Sequence, residues 1–332
     1  MCTSITLLNA QGENFFGRTM DFSYDIEPEL YVLPRNYVWN GACGGQRMHN
    51  LYAIIGVGQE DGPLMAFYDG VNEKGFAAAS LYFAGYAAYE TKPMPGKMPV
   101  ASMDFLHYML ANCTSVEDVE KLVSQVSIIG VPDPVTNTAA PLHWIATDRS
   151  GKSVVVERTE QGTRVYPNPI GVMANSPEFP WHMTNLKTYA QVSPRQATEN
   201  QWGNLTLKPF GQGAGTSLLP GGYTSPERFA RAAYLKTHLP VPQTKEETVM
   251  SCFHVMESVS IPKGAVISNR ETFDYTRYTV FLNTKTCEYY FKTYENSQIH
   301  MASMWENYRD GESRIRLGRL SRPVQFGKVT VV

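Results

Sequence analysis

The chain is 332 residues long and 43% apolar, and its 29 basic and 31 acidic side chains leave a formal charge of -2. That balance, with no basic cluster and no acidic tail, excludes a nucleic-acid footprint and leaves a small molecule as the expected partner. The first twenty residues lack a cationic stretch followed by an apolar run, and LYAIIGVG at 51–58 is too short to span a bilayer, so the sequence predicts a cytoplasmic protein without a membrane partner. Five scattered cysteines (Cys2, Cys43, Cys113, Cys252, Cys287), never in a C-x-x-C pair, indicate neither a disulfide framework nor a zinc site.

Strand-like runs come first: 3–8 with 14–20, then 51–58, 63–69 and 75–83, joined by glycine-containing turns that predict antiparallel meanders. Two helices follow, at about 102–112 and 116–127. The second is introduced by Thr114, Ser115 and Glu117 as a capping box, with Val116, Val119, Leu122, Val123 and Val126 on one apolar face. LHWIATD, SVVVERT, TRVYPN and GVMAN, between 142 and 175, read as strands again. Residues 188–222 are rich in Gln, Asn, Pro and Gly without periodicity, which predicts an extended arm that is functional or packs on another subunit. Helices at 226–238 and 246–259 and a hairpin over 276–294 close the pattern. Blocks of strands alternating with blocks of helices predict one α+β domain over 1–332, with antiparallel sheets covered by helices.

The most informative chemistry lies at the start, MCTSIT. Methionine removal before a small residue exposes Cys2 with its own α-amine, joining a nucleophile and a base of pKa about 7.7 to 8.0 on one residue. With a turn at Ala10 to Glu13, facing residues sum to about 22, pairing Ser4 with Arg18 and Cys2 with Met20. Arg18 then sits diagonally beside Cys2, where its charge can hold a thiolate. Asp21 has the opposite parity and reaches the amine only if the strand bends or ends. In TSPERFARAAYLK, Ser225 or Thr224 caps a helix, Pro226 and Glu227 suit its first turn, and Arg228 opposes the dipole there, so it serves a charge elsewhere or pairs locally. Asn175 ends the strand-like GVMAN and can donate to an oxyanion, although a turn-forming Asn is the commoner role.

Taken together with MCTSIT, GRTMDF, YDGVNEKG, PLHW, NPIGVMANSP, LTLKPFGQGAG and SPERFARAAYLK, these residues resemble the choloylglycine hydrolase family of N-terminal-nucleophile amidases, over nearly the whole chain. The resemblance implies a four-layer αββα sandwich, two antiparallel sheets between helix layers, and a homotetramer in which the arm at 188–222 reaches a neighbour. It also implies no cofactor and no metal. By the same resemblance Cys2 is the nucleophile, Arg18 and Asp21 orient thiolate and amine, Asn175 and a backbone N–H near Tyr82 receive the oxyanion, and Arg228 supports the network. Tyr82 stands where bile salt hydrolases carry Asn and Gram-positive penicillin V acylases carry Tyr. This points to an amidase cleaving penicillin V to phenoxyacetate and 6-aminopenicillanate, with an aromatic wall for the phenoxy ring. Met20, Phe22, Tyr24 and Phe83 are expected to line the acyl pocket. Ser217 and Gly222 depart from the family's loop. The alternatives are conjugated bile salts or an acyl homoserine lactone as substrate, a non-catalytic ligand-binding protein, and a glutamine amidotransferase half, which lacks its synthase here.

Overall fold

The computed structural model of the chain describes residues 1–24, 26–44, 46–61, 64–132 and 137–329. Two antiparallel sheets lie face to face. The first has six strands, in the order Val172–Met173, β1 (Cys2–Leu8), β2 (Asn14–Phe22), Tyr275–Asn283, Glu288–Thr293 and His300–Ser303. The second has eight, in the order Gly162–Pro167, Ser153–Thr159, Leu142–Thr147, Ala77–Tyr82, Leu64–Asn72, Ile54–Asp61, Glu29–Leu33 and Ile315–Arg319. Residue 63, where the sequence reading begins a strand, lies outside the described residues.

The helices are α1 (Phe105–Asn112), α2 (Val116–Gln125), α3 (Phe179–Asn185), α4 (Ser225–His238), α5 (Lys245–Glu257) and the single turn α6 (Met304–Asn307). α4 and α5 cover the outer face of the first sheet, and α1 covers the second, which gives the expected αββα order. One apolar cluster runs through the inter-sheet layer and under α4 and α5, joining Ile5, Phe16, Ile55, Val71, Ile145, Phe229, Phe253 and Val280. Another lies beneath α1 and α2 around Phe105, Leu106, Leu110 and Trp144. Among the described residues, no helix is long and apolar enough to cross a membrane.

Several boundaries differ from the sequence reading, each for a local reason. α1 begins at Phe105, three residues later than expected, behind a turn. Ser115 is the N-cap of α2, and the box is completed by Asp118 at the third position, because the reciprocal bond needs that spacing. Glu117 instead pairs with Lys152. The helix stops at Gln125, and Val126–Ile129 forms a short strand parallel to Met98–Ala101, as a β-branched VSII run favours. The segment 188–222 starts in a 3-10 turn, Leu186–Tyr189, and holds a two-stranded hairpin, Asn200–Trp202 with Leu205–Leu207, and a second 3-10 turn, Ala214–Thr216. Trp202 and Phe210 of this segment are exposed.

Candidate active site

The turn at 9–13 sets the register of the amino-terminal hairpin. Cys2 faces Met20 and Ser4 faces Arg18. Side chains alternate across the sheet, so Arg18 and Met20 share the inter-sheet face with Cys2. There Arg18 Nη2 donates to Cys2 Sγ at 2.7 Å, its Nε donates to Thr19 O and its Nη1 to Tyr68 O. Behind it, Asp69 of the second sheet approaches Nη1 at 3.8 Å, and both side chains are completely buried. Burial alone would lower the Arg18 pKa. Cys2, Tyr278, Asp69 and Asp21 more than reverse that, so its pKa is raised and the guanidinium stays charged.

On the opposite face, toward the helices, lie Thr3, Thr19 and Asp21. β2 does not end at Met20. The irregularity falls on its neighbour, where the pairing skips between Thr276 and Tyr278 opposite Asp21 and Met20. Asp21 therefore keeps the parity expected of it, accepting from Thr276 Oγ1 at 2.6 Å and Thr19 Oγ1 at 3.1 Å. Its main-chain N–H donates to Met1 O, and the Met1 amine donates to Asp21 O, which leaves the Cys2 nitrogen as an ordinary amide within the strand.

Arg228 descends from the first turn of α4, and the reason it opposes the dipole is visible in its contacts. Glu227 serves the cap residue Thr224, whereas Arg228 donates to Cys2 O, Thr3 Oγ1, Tyr223 O and Asn175 Oδ1 and lies 3.8 Å from Asp21. The local Glu227 pair that the sequence left open is not formed. Burial lowers the Arg228 pKa, and Asp21 and Cys2 offset this only in part. Gly222 also has a local cause: a Cβ there would run into the Glu227 carboxylate.

Asn175 connects the two sheets. Its Oδ1 accepts from Cys2 N at 2.8 Å and from Arg228 Nη2 at 2.6 Å, while Nδ2 donates to Tyr82 O at 2.7 Å. An amide carries two N–H donors, so one remains for a substrate oxygen. Tyr82 thus meets Asn175 through its carbonyl, with its ring partly exposed. Two histidines unassigned by the sequence hold the backbone here: His143 Nε2 meets Ala174 O at 3.0 Å and His182 Nε2 meets Asn175 O at 2.8 Å. Burial lowers the His182 pKa to about 4, so the ring is neutral at pH 7.

The expected pocket residues separate. Met20 is buried beside Arg18, its sulfur 3.5 Å from Nη2. Phe22 and Tyr24 pack together at 5.4 Å near the surface. Phe83 does not line a pocket: it is wholly buried, stacked on His143 at 4.2 Å, because the strand alternation that exposes Tyr82 turns its neighbour inward. A cavity of about 330 Å³ lies at the other end of the hairpin, lined by Thr6, Leu8, Ser150, Lys236 and Pro240, away from Cys2.

The fold is that of a four-layer αββα sandwich with a buried cysteine–arginine cluster between its sheets. The sequence profile of the linear amide C-N hydrolases, choloylglycine hydrolase family, matches residues 2–316, and the chain belongs to that family. It is 34% identical over 313 residues to a bile salt hydrolase/transferase of Clostridium perfringens, covering 94% of each chain. A solved conjugated bile acid hydrolase of Clostridium perfringens matches with a TM-score of 0.93 at 32% identity, over 99% of this chain and 100% of that one. A penicillin V acylase of Pectobacterium atrosepticum is 26% identical, with 88% of this chain and 78% of that protein covered. The protein is accordingly a linear amide C-N hydrolase with the N-terminal-nucleophile fold.

Proposed function

We propose that Cys2, freed by removal of Met1, is the nucleophile of this hydrolase and that its α-amine is the base. The observation that carries this reading is the buried contact between Arg18 Nη2 and Cys2 Sγ, with the Cys2 nitrogen bound to Asn175. The amine takes the thiol proton, the sulfur attacks the amide carbonyl, and the free N–H of Asn175 receives the oxyanion. Collapse returns the proton to the departing amine and leaves a thioester. Water, deprotonated by the same amine, then releases the acid and restores the thiol. In this reading Asp21 and Arg228 orient the amine, and Tyr82 positions Asn175 through its carbonyl.

For the substrate, the relatives at 34% and 32% identity favour conjugated bile acids over the penicillin V expected from Tyr82 and from the RTMDF, GVNEKG and LTLKPFGQGAG motifs. Penicillin V stays as the second reading because the Tyr82 carbonyl meets Asn175 while the residue's side chain is exposed, which leaves an aromatic ring for an aryl group to stack on. Assembly through residues 188–222 into a homotetramer is part of the same proposal, supported by the exposed Trp202 and Phe210, and light scattering tests it. Parallel assays of the purified enzyme and its Cys2→Ala variant on glycocholate, taurocholate and penicillin V decide the substrate. Faster turnover of the bile acid conjugates, abolished by C2A, supports the first reading, and faster turnover of penicillin V replaces it with the second.

A further inference from the structure

Asp69 is buried with no direct place in the reaction just described. It stands on the second sheet, fully enclosed, behind the arginine that touches the nucleophile. Tyr278 Oη donates to its Oδ2 at 3.3 Å and Tyr289 Oη donates to its Oδ1, both from the first sheet. Arg18 faces it from β2, and beyond Arg18 lie the Cys2 sulfur and Asp21. A buried arginine without a counter-charge is strongly destabilising. The Cys2 sulfur can fill that role only as a thiolate. As a thiol, or as a thioester after acylation, it carries no charge.

We infer that Asp69 is a positioning residue that supplies the counter-charge of Arg18 whenever the Cys2 sulfur is neutral. Arg18 is then shared between two anions, and the Asp69 carboxylate keeps the thiolate from being over-stabilised, which preserves its nucleophilicity. In the acyl-enzyme the two arginines fully buried at this site, Arg18 and Arg228, are matched one to one by Asp69 and Asp21. Burial raises the Asp69 pKa, against the opposing pull of Arg18, Tyr289, Tyr278 and the Val57 N–H, and leaves it at about 6. Below that pH the carboxyl is neutral and the sharing ends. The inference rests on Cys2 being the nucleophile.

The test follows the rate of Cys2 alkylation by iodoacetamide against pH, read by intact mass, in the parent enzyme, Asp69→Asn and Asp69→Glu. Removing the competing anion moves the midpoint of the D69N profile down by about one unit or more. In the same variant kcat/KM falls about tenfold or more, while D69E stays near the parent in both. A D69N midpoint that is unchanged or higher overturns the inference, because mere loss of Arg18 placement would push it upward. Should D69N fail to fold, Tyr289→Phe keeps the question open to test. Losing one donor to the carboxylate moves the lower inflection of the kcat/KM profile, which lies below the limb set by the α-amine, up from about pH 6, and an unmoved lower inflection overturns the role of Asp69. Turnover surviving in Cys2→Ala would instead remove the nucleophile reading itself.

Discussion

Two arginine–aspartate pairs flank the amino-terminal hairpin, one on each face of the sheet. Arg18 with Asp69 lies between the sheets and Arg228 with Asp21 lies under the helices, and each pair is fully buried at 3.8 Å. The chemistry of the side chains is identical, and the remaining partners differ. Arg18 gives its outer nitrogen to a sulfur, and its pKa is raised; Arg228 spends its donors on carbonyls, a hydroxyl and an amide, and its pKa is lowered. In the proposed mechanism the first pair responds to the charge of the attacking sulfur. The second holds a frame around it.

Exchanging each arginine for leucine breaks the comparison most sharply. Arg18→Leu is expected to lower kcat/KM about 10³-fold or more, because the thiolate loses its cation. Arg228→Leu should cost about 3 to 5 kcal/mol of stability in denaturant melts, the larger structural loss, since it strands Asp21 and four acceptors. If the two variants show the same ratio of rate loss to stability loss, the division between the pairs is wrong. Next in size is Asn175→Ala, with kcat expected to fall about 10²- to 10³-fold in steady-state assays. A fall confined to KM would mean that Asn175 binds substrate without stabilising the oxyanion.

The smallest effect concerns the support of that asparagine. His182 is buried as a neutral ring with a pKa of about 4, below its ordinary 6.5. The unfolded chain takes up the proton first, so stability present above pH 6.5 is lost as pH falls through the window down to about 4. The sign makes His182 destabilising in acid, by about 3 kcal/mol at most. Urea melts at pH 7 and pH 4.5 check this, with a shallower pH dependence expected in His182→Asn and an unchanged one counting against it.

How much of this was legible in the sequence varies with how local the cause is. A four-residue turn fixes the hairpin register, so the diagonal neighbourhood of Cys2 and Arg18 could be counted off the chain. Arg228 betrayed itself by sitting at the wrong end of a helix dipole, and Asn175 by ending a strand before Ser176-Pro177. Asp69 left no such mark. It sits within YDGVN, an ordinary strand of the second sheet, and its meaning appears only when the two sheets stack and bring it to Arg18. His143 and His182 escaped for a similar reason, since each holds a backbone carbonyl that no residue type announces, His143 with Glu157 on its other nitrogen. Phe83, expected in the acyl pocket from its place beside the family motifs, is instead wholly buried against His143, a partner 60 residues away that no local pattern announces. Glu117 fits the box spacing from Thr114, but Ser115 is the N-cap, so the third position falls on Asp118.

In the proposed mechanism residue 2 attacks with its sulfur and carries the proton on its own nitrogen. Intact mass spectrometry of purified enzyme, quenched in acid during turnover of glycocholate or penicillin V, tests it directly. The expected result is a chain lacking Met1 that transiently gains the acyl group, with peptide mapping placing the adduct on Cys2. Full turnover by a chain that retains Met1, or an adduct on any other residue, would contradict the account.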